Sequence, residues 1–425
     1  MFDFYRLKNG VRVMLVPMQG VESVAVGVYV QAGSRYETPK INGISHFLEH
    51  MVFKGTKNYP THTDTSRLEG LGAIQNAWTD VDATAYWCKI PADRWKEAMD
   101  LIKDLVLYPK IPEKDLEIER GVILEEINRR DDRPDEISVE TMMELMYSPN
   151  ALGMTTLGTP EVIKSLSRKD FLKYCLEQYV AERIVVVMAG KLDQKAAIKD
   201  QISRHFEGLK MKPGKSFERI DQIQSKSKYK IYKKDLASQA HIQFGFPGIT
   251  VADPRRFALT VLTTYLGQGL SSRLFTELRE KQGLCYAVMA DESRWIDTGL
   301  WSVYAGLAID KLEEAILAIA SEIKRLKEVR LTEAELSQSK EKIRGPLLFS
   351  AENPVNVMNH YAKQVLDRPD EILNYDQLVD RLMRVDISDV QRIAKELFTL
   401  EKLNLAVVGP VDEERVQKLM RKVKI

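Results

Sequence analysis

Gly43-Ile-Ser-His-Phe-Leu-Glu-His-Met-Val-Phe-Lys-Gly55 places His46, Glu49 and His50 within about one and a half turns of a predicted helix. Residues four apart share a helix face, so His46 and His50 can grip one metal ion, with Glu49 beside them. Two imidazoles and a carboxylate suit zinc, and a zinc ion that keeps one position for water lowers that water's pKa to about 7. Glu49 is then placed to take the water's proton. The stretch points to metal-assisted hydrolysis with a third ligand still to be found. His62, His205, His241 and His360 lack such company and read as surface or locally satisfied residues.

Upstream of this stretch, Val21 to Ala32 alternates and is valine-rich, which predicts a strand running through Gly33-Ser34-Arg35 into the metal helix at a sheet's edge. Asn9-Gly10 predicts a hairpin turn before it. Downstream, Asp64 to Leu71 has a short helical pattern, and Gln75 to Ile90 reads as paired strands around Asp80-Val-Asp82. The first of these strands is polar for a core strand. It is either an ordinary solvated hairpin or an edge that accepts an extended peptide.

Asp93 to Leu107 is an amphipathic helix, and Pro109 and Pro112 separate it from a second helical run, Glu113 to Asn128. Glu119 and Glu126 are seven apart and share a face, with Val122, Ile123 and Ile127 supplying an apolar side. Either glutamate could reach the metal. Glu125 competes by adjacency but points about 100° away from Glu126.

The chain repeats itself. Asp170 to Tyr179 is a helix before the apolar strand Arg183–Gly190, and a further helix runs to about Leu209; Asp386 to Phe398, Lys402–Gly409 and the helix after Asp412 repeat that order. Gly190 and Gly409 correspond at an offset of 219, as do Asp193 and Asp412, Tyr179 and Phe398, Asp170 and Asp389. Lys210 to Ser227, rich in Lys, Pro, Gly and Ser, marks the linker. The reading is an α+β protein of two homologous domains, 1–209 and 228–425, each a mainly antiparallel sheet with helices packed on it. At the place matching the metal helix, the second half has the apolar helix Asp253–Leu266 and no His-x-x-Glu-His.

At 425 residues the chain has room for two cores. Its 62 Lys and Arg against 61 Asp and Glu give a net charge of +1, which offers no global attraction to nucleic acid or an anionic membrane. Three scattered cysteines, Cys88, Cys175 and Cys285, build neither a disulfide framework nor a cysteine zinc site. With no basic n-region followed by an apolar stretch at the start, and no apolar run of some 18 residues, the expectation is a cytoplasmic protein outside the membrane. There is no Walker-type loop, so ATP is not expected to take part.

With the reversed His-x-x-Glu-His order, the spaced glutamates and the duplicated halves in hand, the sequence resembles the pitrilysin/insulinase-type inverzincin zinc metallopeptidases, in the branch that includes mitochondrial processing peptidase. Gly43 to Thr56 is similar to the family's zinc motif at nearly every position. The resemblance implies a zinc endopeptidase with one Zn2+ per chain, His46 and His50 as ligands and Glu49 as general base. The family's third ligand lies 76 residues after the second histidine, which is Glu126, and its supporting glutamate seven residues earlier is Glu119. Asn76, Ala77 and Thr79 resemble the family's edge strand that pairs with substrate backbone. Leu278 to Tyr286 resembles the second-half motif in which an arginine and a tyrosine, here Arg279 and Tyr286, complete the active site.

The resemblance further implies short or unfolded peptides as substrates inside an enclosed chamber, and a homodimer in which the zinc half of one chain faces the Arg/Tyr half of its partner. Other relatives are non-catalytic scaffold subunits, or catalytic subunits that need a different partner chain. Two departures, the partial glycine-rich loop Gly267–Ser272 and the loose match over Ser148–Gly158, bear on substrate preference and leave the chemistry intact.

Overall fold

The computed structural model describes residues 2–221, 224–235 and 237–425. They form two compact units, each built on its own sheet. In the first, β1 (Asp3–Arg6), β2 (Arg12–Pro17), β3 (Ser23–Val30), β4 (Ile74–Thr79), β5 (Thr84–Pro91) and β6 (Ile184–Gly190) are ordered β1-β2-β6-β3-β5-β4. Every neighbouring pair is antiparallel except β2–β6. The turn at Asn9-Gly10 joins β1 to β2, with Gly10 at φ 96°.

β3 lies mid-sheet, where both faces are covered. Val24, Val26, Val28 and Val30 enter the core with Met99 and Ile102 of the helix Trp95–Leu107. Each, fully buried, contributes about 1.5–3 kcal/mol relative to exposure. On the other face, Gly27 and Tyr29 meet the helix Pro354–Asp367: Tyr29 donates to Asn359 Oδ1 at 2.5 Å, and a Cβ at Gly27 would come within 2.7 Å of Met358 Sδ.

The second sheet repeats this plan. β7 (Lys228–Lys233), β8 (Gln239–Pro247), β9 (Ala287–Arg294), β10 (Gly299–Ala308) and β11 (Asn404–Gly409) are ordered β7-β11-β8-β10-β9, and only β7–β11 is parallel. Ile242, Phe244 and Phe246 of β8 pack with Trp301, Val303 and Ala305 of β10 under the helix Arg256–Gly267. The opposite face takes the helix Pro134–Tyr147, whose Ser138 accepts from Gln243 Nε2 at 3.3 Å and whose Tyr147 donates to the Gly299 carbonyl at 2.8 Å.

The repeat is exact in local chemistry at two points. Asp170 and Asp389 both close capping boxes, with Ser167 and Asp386 as the N-caps. Gly190 and Gly409 both end their strands at positive φ, 128° and 151°.

The compact units cut across the sequential halves 1–209 and 228–425. The first comprises Met1–Asn128, Met154–Glu218 and Phe349–Ile372; the second comprises Arg129–Gly153, Arg219–Leu348 and Leu373–Ile425. The helices Pro134–Tyr147 and Pro354–Asp367 start 220 residues apart, at matching places in the repeat, and each docks on the sheet of the other half. An amphipathic pattern shows that a helix buries a face but not which sheet receives it. The segment 210–227, whose described residues hold no helix or strand, contains one of the five places where the chain passes between the units. Phe217 still anchors it, under the Arg35 guanidinium at 3.9 Å and edge-on to Tyr36. No helix among the described residues is long and apolar enough to cross a membrane.

Candidate metal centre

The helix Ile44–Val52 turns Ile44, Phe47, Leu48, Met51 and Val52 into the core and leaves His46, Glu49 and His50 on its open face. Its start is fixed by the fully buried Glu37. One carboxylate oxygen accepts from Gly43 N (2.7 Å) and Asn42 Nδ2 (2.9 Å), and the other accepts from Ser45 N (2.8 Å), satisfying amides that a helix N-terminus leaves unpaired. Gly43 sits at φ 91°, and a Cβ there would lie 2.6 Å from the Leu157 carbonyl oxygen. Only glycine meets both demands. Burial pushes the Glu37 carboxyl up to about 7, against the pull of its hydrogen bonds.

Glu126, on the helix Glu113–Asp131, brings its Oε2 to 3.4 Å from His46 Nε2 and 3.8 Å from His50 Nε2. One ligand atom from each of the three lies within 4.8 Å of the others, and no other such group of three or more occurs among the described residues. Two imidazole nitrogens and one carboxylate fit a catalytic zinc, which takes three protein ligands and leaves a position open. The site's own hydrogen bonding agrees. Glu119 Oε2 stands 3.2 Å from His50 Nδ1, which puts the proton on Nδ1 and leaves Nε2 as the lone pair toward Glu126.

Lys54 Nζ pairs with the other Glu119 oxygen at 2.5 Å. Both oxygens of Glu119 are thus committed, and it stands behind the site while Glu126 faces into it. Glu125 points to solvent and accepts from Asn128. Ile123 and Ile127 are buried beneath this face, whereas Val122, expected on the apolar side, is 40% exposed. Burial, and then the charge of His50, hold His46 down to about 4.

Glu49 adjoins this cluster, and Thr79 of β4 donates to its Oε2 at 2.6 Å. Burial raises the Glu49 pKa, Thr79 and His50 oppose the rise, and Glu126 adds to it. A carboxylate raised in this way is a better base. The Thr79 contact spans 30 residues of sequence and had no signal beyond the polarity of the strand. β4 is the edge of its sheet, with Asn76 exposed, Ala77 packed on the core, and Asn76 Oδ1 accepting from the Ala77 amide at 2.8 Å.

Arg279 and Tyr286 belong to the second unit. Arg279 is exposed on the π-helical segment Phe275–Lys281, with its guanidinium 4.7 Å from the Phe275 ring centre. Tyr286, just before β9, is 46% exposed, and its amide donates to the Gly306 carbonyl at 3.0 Å. The remaining histidines have partners: His62 with the Phe53 carbonyl, His205 with Asp100, His241 with Tyr304 and His360 with Gln364.

Residues 12–160 match the insulinase family (peptidase family M16), and residues 165–343 match the peptidase M16 inactive domain. A relative named an uncharacterized zinc protease, from Bacillus subtilis (strain 168), is 33% identical over 410 residues, covering 96% of this chain and 98% of the relative. One from Streptomyces coelicolor is 30% identical over 428 residues, covering 97% and 90%. In fold, the chain is similar to a crystallised protease from Helicobacter pylori, with a TM-score of 0.88 at 23% identity over 96% of this chain and 99% of that one. A peptidase M16 inactive domain from Pseudomonas fluorescens also gives 0.88, at 16% identity over 97% and 98%.

Proposed function

The chain belongs to the M16 insulinase family of peptidases, and on that premise we propose that it is a zinc-dependent endopeptidase hydrolysing short or unfolded peptides. The observation that carries this reading is the convergence of His46, His50 and Glu126 beside a glutamate held by Thr79. The relatives named zinc proteases support the choice of metal.

Held by His46, His50 and Glu126, one zinc ion would polarise the scissile carbonyl and acidify water at its open position. Glu49 takes the water's proton through Oε1, since Oε2 accepts from Thr79, and returns it to the departing amine. Glu119 keeps His50 oriented. The β4 edge, with Asn76, Ala77 and Thr79, pairs with the extended peptide backbone. Arg279 holds substrate carbonyl groups and Tyr286 donates to the developing oxyanion. No covalent intermediate is needed.

The active form in this proposal is a homodimer in which Arg279 and Tyr286 of one copy serve the metal centre of the other. The test is cleavage of a quenched, unstructured peptide by purified protein, with chelator and with zinc added back. Activity lost to chelator and restored by zinc supports the peptidase. An inactive protein with bound metal favours a scaffold, or a subunit that needs a different chain. For the dimer, Glu49→Gln protein mixed with Arg279→Ala protein regains activity as subunits exchange; verified mixed dimers without recovery contradict composite sites.

A further inference from the structure

The second unit holds a cavity of 740 Å3 between the helix Arg256–Gly267, the edge strand β9 and the helix Glu333–Ser350. Gly267 lets the first helix end against the strand, since a Cβ there would lie 2.2 Å from the Ala290 amide nitrogen. Side chains alternate along β9, so Glu292 faces the same helix as Ala290. The loop 268–271 borders the cavity and leaves Leu270 76% exposed.

Two groups on its walls are incompletely partnered, and they carry opposite charges. The Glu292 side chain is only 9% exposed. Its Oε1 accepts from Thr260 at 2.6 Å and stands 3.5 Å from Arg294 Nη2, whereas its Oε2 has no hydrogen-bond partner. A buried carboxylate oxygen left in that state costs free energy that an incoming N–H donor recovers. On the helix Glu333–Ser350, Lys342 Nζ donates to the Gln268 carbonyl at 3.3 Å and, among the described residues, pairs with no carboxylate. Burial holds the Lys342 pKa below its ordinary 10.5, and no neighbouring charge raises it again.

A simple cation at Glu292 would share the cavity with Lys342 and Arg294, and a simple anion at Lys342 would share it with Glu292 and Asp291. A molecule with an ammonium at one end and a carboxylate at the other satisfies both groups at once. The wall between is apolar, from Leu270, Ile343, Pro346 and Leu347, which suits aliphatic side chains. The volume falls in the range of about 300–1,000 Å3 that holds a drug-sized ligand, the size of a dipeptide or tripeptide.

We propose that this cavity binds short apolar peptides by their two free ends, the ammonium on Glu292 and the carboxylate on Lys342. It lies in the unit that does not hold the metal centre, and the proposal does not rest on the chain being a peptidase. On the peptidase reading, its occupants are molecules that peptide hydrolysis leaves behind.

The experiment titrates full-length, methyl-labelled protein with the dipeptide Leu-Leu and follows the methyl resonance of Ile343 on the cavity wall. Zinc-loaded Glu49→Gln protein serves as the background, so that the probe stays uncut. Leu-Leu should shift the resonance saturably. Removing either charge, as N-acetyl-Leu-Leu or as Leu-Leu amide, should weaken binding on the order of tenfold. Glu292→Gln should erase the preference for the free ammonium and Lys342→Met the preference for the free carboxylate, each leaving the other in place. A merely apolar cavity would take all three probes alike in every variant.

No saturable shift at Ile343, equal affinity for the three probes, or preferences that survive both substitutions overturn the proposal. A need for one end only overturns it as well, in favour of a plain cation or a plain anion. Lys342 is partly exposed, so Lys342→Met carries the test if Glu292→Gln does not fold.

Discussion

Glu119 stands behind His50, its Oε2 3.2 Å from His50 Nδ1 and its Oε1 2.5 Å from Lys54 Nζ. The lysine holds the carboxylate, and the carboxylate holds the imidazole with Nε2 toward Glu126. Removing such an outer partner lowers metal affinity by roughly 10–100-fold. Glu119→Ala should show that loss in zinc competition against a chromogenic chelator while retaining its fold by circular dichroism. Unchanged affinity would mean that His50 is oriented by packing alone.

Thr79 holds one oxygen of Glu49, so Thr79→Val, similar in shape but without the hydroxyl, leaves that carboxylate free to rotate. A misoriented base costs on the order of tenfold in rate. Steady-state kinetics should show kcat reduced by about that factor with zinc content unchanged. An equal loss of bound zinc would show instead that Thr79 supports the metal.

Gly43→Ala should weaken both fold and metal site, because the helix that presents the histidines starts at a left-handed residue pressed against Leu157 and Gly158. Strain at such a position costs on the order of 1–3 kcal/mol. Chemical denaturation should read a loss of that size. A neutral substitution would mean that the 43–45 turn relaxes without penalty.

Glu37 gives a pH dependence with a definite sign. Its carboxyl is pushed up to about 7 in the fold from an ordinary 4.5, so the folded chain binds the proton more tightly. Stability from this group is full below pH 4.5 and is lost as pH rises to about 7, on the order of 3 kcal/mol in all. Denaturation in chelator, with Glu37→Gln as reference, isolates the effect, since other titrating groups cancel in the difference. Parallel curves for the two proteins would contradict it.

Much of this was legible in sequence, for reasons tied to local periodicity. His46, Glu49 and His50 needed only one helix turn to meet, and Glu119 and Glu126 needed two. The repeated capping aspartates and strand-ending glycines marked the duplication because each imposes its own backbone geometry. What escaped was long-range pairing. Nothing in residues 134–147 or 354–367 names the sheet each helix covers. His241 read as a scattered histidine because its partner Tyr304 lies 63 residues away on a neighbouring strand. Val122 looked apolar and buried by pattern, yet faces outward, because the helix turns Glu119 and Glu126 toward the metal site instead.

The most direct measurement is kcat/KM for an unstructured peptide with Glu49→Gln against the parent protein, both at the same measured zinc content. The account predicts zinc bound in both and cleavage reduced by at least on the order of 100-fold in the variant, since an amide cannot take the proton. Cleavage at the parent rate by zinc-loaded Glu49→Gln would contradict it.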